Sequence, residues 1–214
     1  MKDVFIYDAI RSARARAKPE GGLHELTPSA LLKHLYHGLE ARNTLDTTQI
    51  SEVILGCVTQ NGEQAANIAK TSTLYAGWPS SVAGLTVHRF CSSSIDAIAL
   101  AGLKVASGQA QAMVAGGVEM MSRVPMLSDN ARVFSDPEFA LQHQMLLMGS
   151  GADLIATRIG ATREACDAVA LQSQQRAARA QREGRFTSIV PISTSRGVVA
   201  TDECVCADIT GAQL

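Results

Sequence analysis

The sequence predicts an α/β fold with a mostly parallel sheet, and three observations carry that expectation. Short apolar runs alternate with helical periodicities in the order strand, helix, strand, helix from the first residues to the Gly116–Gly117 pair. The run EVILGCV (Glu52 to Val58) is almost continuously apolar, as a strand buried on both faces requires. Finally, hydrophobic residues make up 46% of 214 residues and aromatic ones only 4%, so the core must be built from aliphatic side chains, which suits packed helices on a sheet.

Val4 to Ala9 reads as a first strand, ended by an arginine-rich stretch and a loop with Pro19, Gly21 and Gly22. Thr27 then fits an N-cap with Pro28 at the first helical position. Leu31, Leu32, Leu35 and Leu39 recur at helical spacing, so a helix should run to between Gly38 and Asn43. Glu52 to Val58 is the second strand, and a helix from about Gln64 to Ala76 follows, stopped by Gly77 and Pro79. Gly84 to His88 reads as a strand, Ser92 to Ser107 as a helix, and Ala112 to Gly116 as another strand. The helix from Ile95 is apolar nearly all round, which predicts burial between layers.

Beyond Val118 the text loses any clean period, and prolines, methionines and polar residues suggest an irregular helical loop or cap structure. A long helix should follow from Arg163 to Glu183, capped by Thr162 and ended by Gly184. Ile189 to Ile192 and Gly197 to Thr201 fit a small hairpin. The expected division is residues 1–120 as an α/β core and 121–214 as a loop or cap domain.

Formal net charge is -1 and no block of basic residues extends beyond the scattered arginines of 11–16, which argues against nucleic acid as a partner. The five cysteines, Cys57, Cys91, Cys166, Cys204 and Cys206, form no CxxC pair, and no histidine stands at zinc-ligand spacing, so no metal site is expected. The amino terminus lacks the layout of a secretory signal and no apolar run is long enough to span a bilayer, which predicts a cytoplasmic protein without a membrane partner.

Chemistry concentrates in LTVHRFCSSSIDAIALA (Leu85 to Ala101), where an apolar strand meets a helix through a turn holding Cys91. A cysteine at a helix N-terminus faces amide N–H groups and the positive end of the helix dipole. In such places thiol pKa values fall from about 8.5 to roughly 3.5–7.5, and the same amides can hold an oxyanion. Burial of the helix would keep that thiol dry. Spacing alone leaves a second reading open, in which Cys91 is a small buried apolar residue.

TVHRFCSSSIDAI resembles the nucleophile segment of thiolases, an Asn-Arg-x-Cys-(Ser/Gly/Ala)-Ser-(Gly/Ser) run. Further blocks lie in the matching order. CVTQNGEQAANIAK (Cys57 to Lys70) is similar to the early loop and helix of degradative thiolases, and AGGVEMMSRVPM (Ala115 to Met126) to their Gly-Gly-x-Glu-x-Met-Ser segment. MGSGADLIA (Met148 to Ala156) resembles a Met-Gly-x-Thr-Ala-Glu run. Gly160 to Phe186 resembles the helix beyond it, and Thr201 to Glu203 fits the Asp-Glu that follows.

The resemblance implies a thiolase-like layered fold, first half only. It implies an acyltransferase in which Cys91 attacks a 3-ketoacyl-CoA or acyl-CoA thioester, with coenzyme A as substrate and no permanently bound cofactor. It also implies substrate contacts at Leu147 and Met148, a homodimer or homotetramer, and a role in fatty acid β-oxidation. His88 replaces the usual Asn, Gly151 and Asp153 replace Thr and Glu, Cys206 stands where many members carry Arg, and Leu147 occupies a position that is His in short-chain biosynthetic members. That pattern leans toward a longer or branched acyl chain. His88 reads as a packing or hydrogen-bonding residue, and Glu119 as an anchor for backbone. A thiolase subunit is about twice this length, and its activating His and second Cys lie in the carboxy-terminal half. The resemblance therefore implies either another chain that supplies that half or, as the alternative, a catalytically silent binding or assembly module.

Overall fold

The computed structural model describes residues 2–214. The chain divides into two units: the residues up to Asp129 together with Ser188–Glu203, and Asn130–Thr187 together with Cys204–Leu214.

In the first unit, helix α1 (Pro28–Asn43) starts where the Thr27 side chain accepts a hydrogen bond from Ala30 N, with Pro28 inside the first turn. Strand β1 (Ile50–Gly56), helix α2 (Ile68–Tyr75), strand β2 (Ala83–Val87), helix α3 (Ser93–Ala106) and strand β3 (Ala112–Gly117) follow. The strands form one parallel sheet in the order β2-β1-β3, with Ile54 opposite both Leu85 and Ala115. This is the α/β architecture expected from the sequence.

Period-two alternation along β1 divides its side chains between two cores. Val53 and Leu55 join Leu32, Tyr36, Ile68, Trp78 and Val82 on the face covered by α2 and α1. Ile54 points the other way, onto Ala97 and Ala101 of α3. A third cluster, Leu23, Leu31, Met120 and Ile192, fastens the loops around the hairpin of β4 (Ile192–Thr194) and β5 (Gly197–Val199).

Three expectations are corrected in this unit. Val4 to Ala9 forms no strand: it pairs with neither of the sheet's outer edges, those of β2 and β3, and Phe5, Ile6 and Tyr7 lie exposed. Strand-forming residues make a strand only where their backbone pairs with a neighbouring edge. The segment is tethered at Asp8, which accepts from Arg42 Nε (2.8 Å) and Asn43 Nδ2 (2.9 Å). Helix α2 is shorter than expected because Gly62–Gln64 turns as a 3-10 helix and Asn67 caps a new start, its side chain accepting from Lys70 N. Helix α3 lies against the sheet by one face only; Ile95 is 68% exposed and Leu103 59%, so it is not buried between layers in this chain.

The second unit holds α4 (Pro137–Gln142), α5 (Met148–Ile159) and α6 (Arg163–Arg182). Helix α6 runs where the sequence places it, capped by Thr162, which accepts from Ala165 N. Helix α5 was hidden by Gly149 and Gly151 in its first turn, each costing about 1 kcal/mol of helix propensity relative to Ala. Gly160, in the left-handed region, ends it. No helix among the described residues is long and apolar enough to cross a membrane.

Candidate active site

The site begins with two glycines at the carboxyl ends of neighbouring strands. A β-carbon on Gly56 would lie 2.5 Å from the backbone of Ser93 and Ser94, and one on Gly117 would lie 2.0 Å from Ser94 Oγ. Only glycine lets the first turn of α3 settle onto the ends of β1 and β3. That contact fixes where the helix starts, and hence where the residues before it leave the sheet.

Those residues form a tight turn. Ser92 N donates to Arg89 O (3.1 Å) and Ser93 N to Phe90 O (3.0 Å). Phe90 sits at φ 47, a left-handed conformation that non-glycine residues rarely adopt. Ser93 is buried, and its hydroxyl donates to Phe90 O (2.6 Å) and accepts from Arg89 N (2.8 Å). Arg89 Nε pairs with Asp96 Oδ2 at 2.8 Å, joining the turn to the first turn of the helix.

Cys91 stands two residues before the first residue of α3, at the helix N-terminus as the sequence predicts, but it is exposed rather than dry. The reason is the uncovered outer face of α3. Two of the amides at this terminus, those of Ser92 and Ser93, donate to turn carbonyls. Beside the turn lies an open depression of about 440 Å³ lined by Val87, His88, Arg89, Asp96, Ala99, Leu100 and Leu103. His88 packs edge-on against Phe90 with ring centroids 4.8 Å apart, and its Nδ1 accepts from Phe90 N at 3.4 Å, which fits a packing role.

A polar network that joins exposed Glu119 to buried Gln64, not read in detail from the sequence, supports the loop after β1. Glu119 accepts from the amides of Val58 and Thr59 through Oε1, and from Gln64 Nε2 through Oε2 (3.1 Å). Gln64, fully buried, also donates to Thr59 O (2.9 Å) and accepts from Met120 N (2.6 Å). Glu119 is therefore a backbone anchor, and the Gly-Gly-Val-Glu text was the signal for it. Cys57, packed against the same network, has its thiol pushed up to about 12, first by burial and then by the Glu119 charge. It stays a thiol near neutral pH, unlike a nucleophile.

Leu147 and Met148 lie at the start of α5 in the second unit, 68% and 73% exposed, whereas Cys91 belongs to the first unit. Asp202 and Glu203, from the block beginning at Thr201, bracket the arginine loop. Asp202 accepts from Arg11 Nη1 (2.7 Å), Arg11 Nη2 (2.9 Å) and Arg14 N (2.8 Å), and Glu203 accepts from Arg16 N and Gly22 N (2.8 Å each). Their role is structural closure of residues 11–22.

Residues 4–214 match the family model described as thiolase, N-terminal domain. A 3-ketoacyl-CoA thiolase of Colwellia psychrerythraea is 40% identical over 191 residues, covering 87% of this chain and 48% of that protein. A beta-ketoadipyl-CoA thiolase of Pseudomonas knackmussii is 36% identical over 231 residues, covering 98% of this chain and 57% of that one. In structure, the Bacillus anthracis acetyl-CoA acetyltransferase superposes with a TM-score of 0.80 at 32% identity, over 96% of this chain and 55% of that one. The chain spans about half the length of the relatives it matches. With a family match over nearly every residue, and with the fold shared by a solved relative, this chain belongs to the thiolase family and corresponds to its amino-terminal domain.

Proposed function

We propose that this chain supplies the nucleophilic half of a coenzyme A acyltransferase in which Cys91 carries the acyl group. The observation that carries the reading is the position of Cys91, exposed on a glycine-seated turn immediately before α3, in a chain of the thiolase family. In the thiolytic direction Cys91 Sγ attacks the 3-keto carbonyl carbon of a 3-ketoacyl-CoA. The bond between C2 and C3 breaks, its electron pair stays on the departing acetyl-CoA carbon, and that carbon takes a proton. The sulfur of free coenzyme A then attacks the Cys91 thioester, releasing a shortened acyl-CoA and restoring the thiol. Condensation of acetyl-CoA is the same sequence reversed.

The proton acceptor and donor come from the carboxy-terminal half of the subunit, on the same or a separate chain, and the assembled enzyme is a homodimer or homotetramer. Leu147 and Met148 offer apolar contact to the acyl-CoA. Five free cysteines fit a reducing compartment, and we place the enzyme in the cytoplasm, degrading 3-ketoacyl chains as the names of relatives suggest. No bound cofactor, metal, nucleic acid or membrane enters the scheme. Incubation of the subunit, both halves present, with acetyl-CoA and peptide mass spectrometry tests it; acetyl mass on the Cys91 peptide is expected, and unmodified Cys91 overturns it.

A second reading is favoured by the exposed Ile95, Ile98 and Leu103 on α3: alone, the chain is a silent module that binds a partner over this face. Thiolysis by the purified chain by itself, lost in Cys91→Ser, would exclude it.

A further inference from the structure

Ser93 holds more of the nucleophile turn than its place in the helix explains. It is 4% exposed, and its hydroxyl makes two bonds to the turn that precedes it, donating to Phe90 O at 2.6 Å and accepting from Arg89 N at 2.8 Å. These bonds straddle the peptide unit leading into Phe90, whose φ of 47 is disfavoured for a bulky side chain. Its Cβ is also confined, since a β-carbon on Gly56 would approach it to 2.7 Å. The hydroxyl thus has a fixed origin and two fixed partners, and a backbone in a costly conformation lies between them. A costly conformation persists only where its surroundings hold it.

We propose that Ser93 is a positioning residue for Cys91: its hydroxyl latches Phe90 in the left-handed conformation and so sets the direction in which the Cys91 thiol leaves the sheet. The inference rests on the reading of Cys91 as the acyl acceptor. Without the latch, Phe90 relaxes toward negative φ, the peptide between Phe90 and Cys91 rotates, and the sulfur loses its place at the start of α3. The steric origin of the strain gives a discriminating prediction. Glycine populates positive φ as readily as negative, so with Phe90→Gly the turn no longer needs the hydroxyl to hold it.

The experiment compares four chains, wild type, Ser93→Ala, Phe90→Gly and the double variant, by the rate of iodoacetamide alkylation of Cys91. Peptide mass spectrometry reads the rate, with exposed Cys166 as reference and buried Cys57 as the report on folding. The acyl-acceptor reading is tested separately from the latch: failure of acetyl-CoA to label Cys91 in the subunit with both halves present would sink that reading and leave the alkylation comparison to decide the latch. Ser93→Ala should slow Cys91 relative to Cys166 by roughly fivefold or more, the population shift expected when a strained left-handed residue is released. The same change in the Phe90→Gly background should cost less than about twofold, a non-additivity that general damage to the helix would not produce. Equal losses in both backgrounds, or no loss in Ser93→Ala, would overturn the proposal. If Ser93→Ala opens the fold and exposes Cys57, protection of Cys57 in the double variant still supports the latch, and exposure there as well overturns it.

Discussion

Gly117 faces Ser94 so closely that a β-carbon on the glycine would stand 2.0 Å from the Ser94 hydroxyl oxygen, and a β-carbon on Gly56 would stand 2.5 Å from the backbone of the same turn. Two strand ends and one helix start are thereby packed together, Gly56 against the backbone of the turn and Gly117 against the Ser94 side chain. Alanine at Gly56 has no flexible neighbour to displace, so the helix must lift. We expect Gly56→Ala to destabilise the first unit by about 1–3 kcal/mol, the usual range for overpacking, in urea denaturation. Gly117→Ala should cost less, because the Ser94 hydroxyl can rotate away and the one backbone atom in the way, Gly56 O, would lie at 2.9 Å rather than 2.5 Å. Equal stability of Gly56→Ala and wild type would contradict this seating.

The buried amide of Gln64 predicts a larger loss. Gln64→Leu keeps the volume but leaves Met120 N and Thr59 O without the partners seen here. Each buried unsatisfied group costs roughly 1–3 kcal/mol, so the substitution should lower stability by several kcal/mol. A shift below about 1 kcal/mol in the same denaturation measurement would show that this network is unimportant.

Much of this architecture was legible in the sequence, because each cue was local. Thr27–Pro28 and Thr162 announced their helices, and the apolar EVILGCV run announced β1. What stayed hidden depends on partners distant along the chain. Val4 to Ala9 has the residues of a strand but pairs with no edge of the sheet, and the apolar outer side of α3 gave no sign that this chain would leave it open. For the candidate site, the cysteine and its place before a helix were readable. Glu119 was readable as a backbone anchor, but its partner Gln64, the Ser93 hydroxyl bonds to the turn and the Asp202 closure of residues 11–22 were not, since polar contacts between separated residues have no periodicity.

Acid stability should depend on Asp202. Hydrogen bonds from the Arg11 guanidinium hold its carboxyl below the ordinary 3.8, against the opposing effect of burial. The folded value is lowered, so its contribution is present above about 3.8 and is lost as pH falls through the lower folded value. Asp202→Asn should flatten the pH dependence of unfolding in that acid window while leaving its slope above pH 5 unchanged, followed by circular dichroism. An unchanged acid profile would count against the Arg11 pairing.

Alkaline stability should depend on Cys57. Its thiol is raised from 9.0 to about 12 in the fold, so the contribution is complete below about 9 and is lost as pH rises toward about 12, because the unfolded chain ionises first. Cys57→Ala, which titrates nowhere in this range, should unfold with a shallower alkaline dependence. The same slope in both proteins would place the titration elsewhere.

The central claim is that Cys91, among five free cysteines, is the acyl acceptor. Its most direct measurement is acyl-enzyme trapping: the subunit with both halves present is mixed with acetyl-CoA, quenched in acid and digested for mass spectrometry. An acetyl thioester on the Cys91 peptide, removed by added coenzyme A, is the expected result. Acetyl mass spread over Cys166, Cys204 and Cys206, or absent from Cys91 in the folded enzyme, would contradict it.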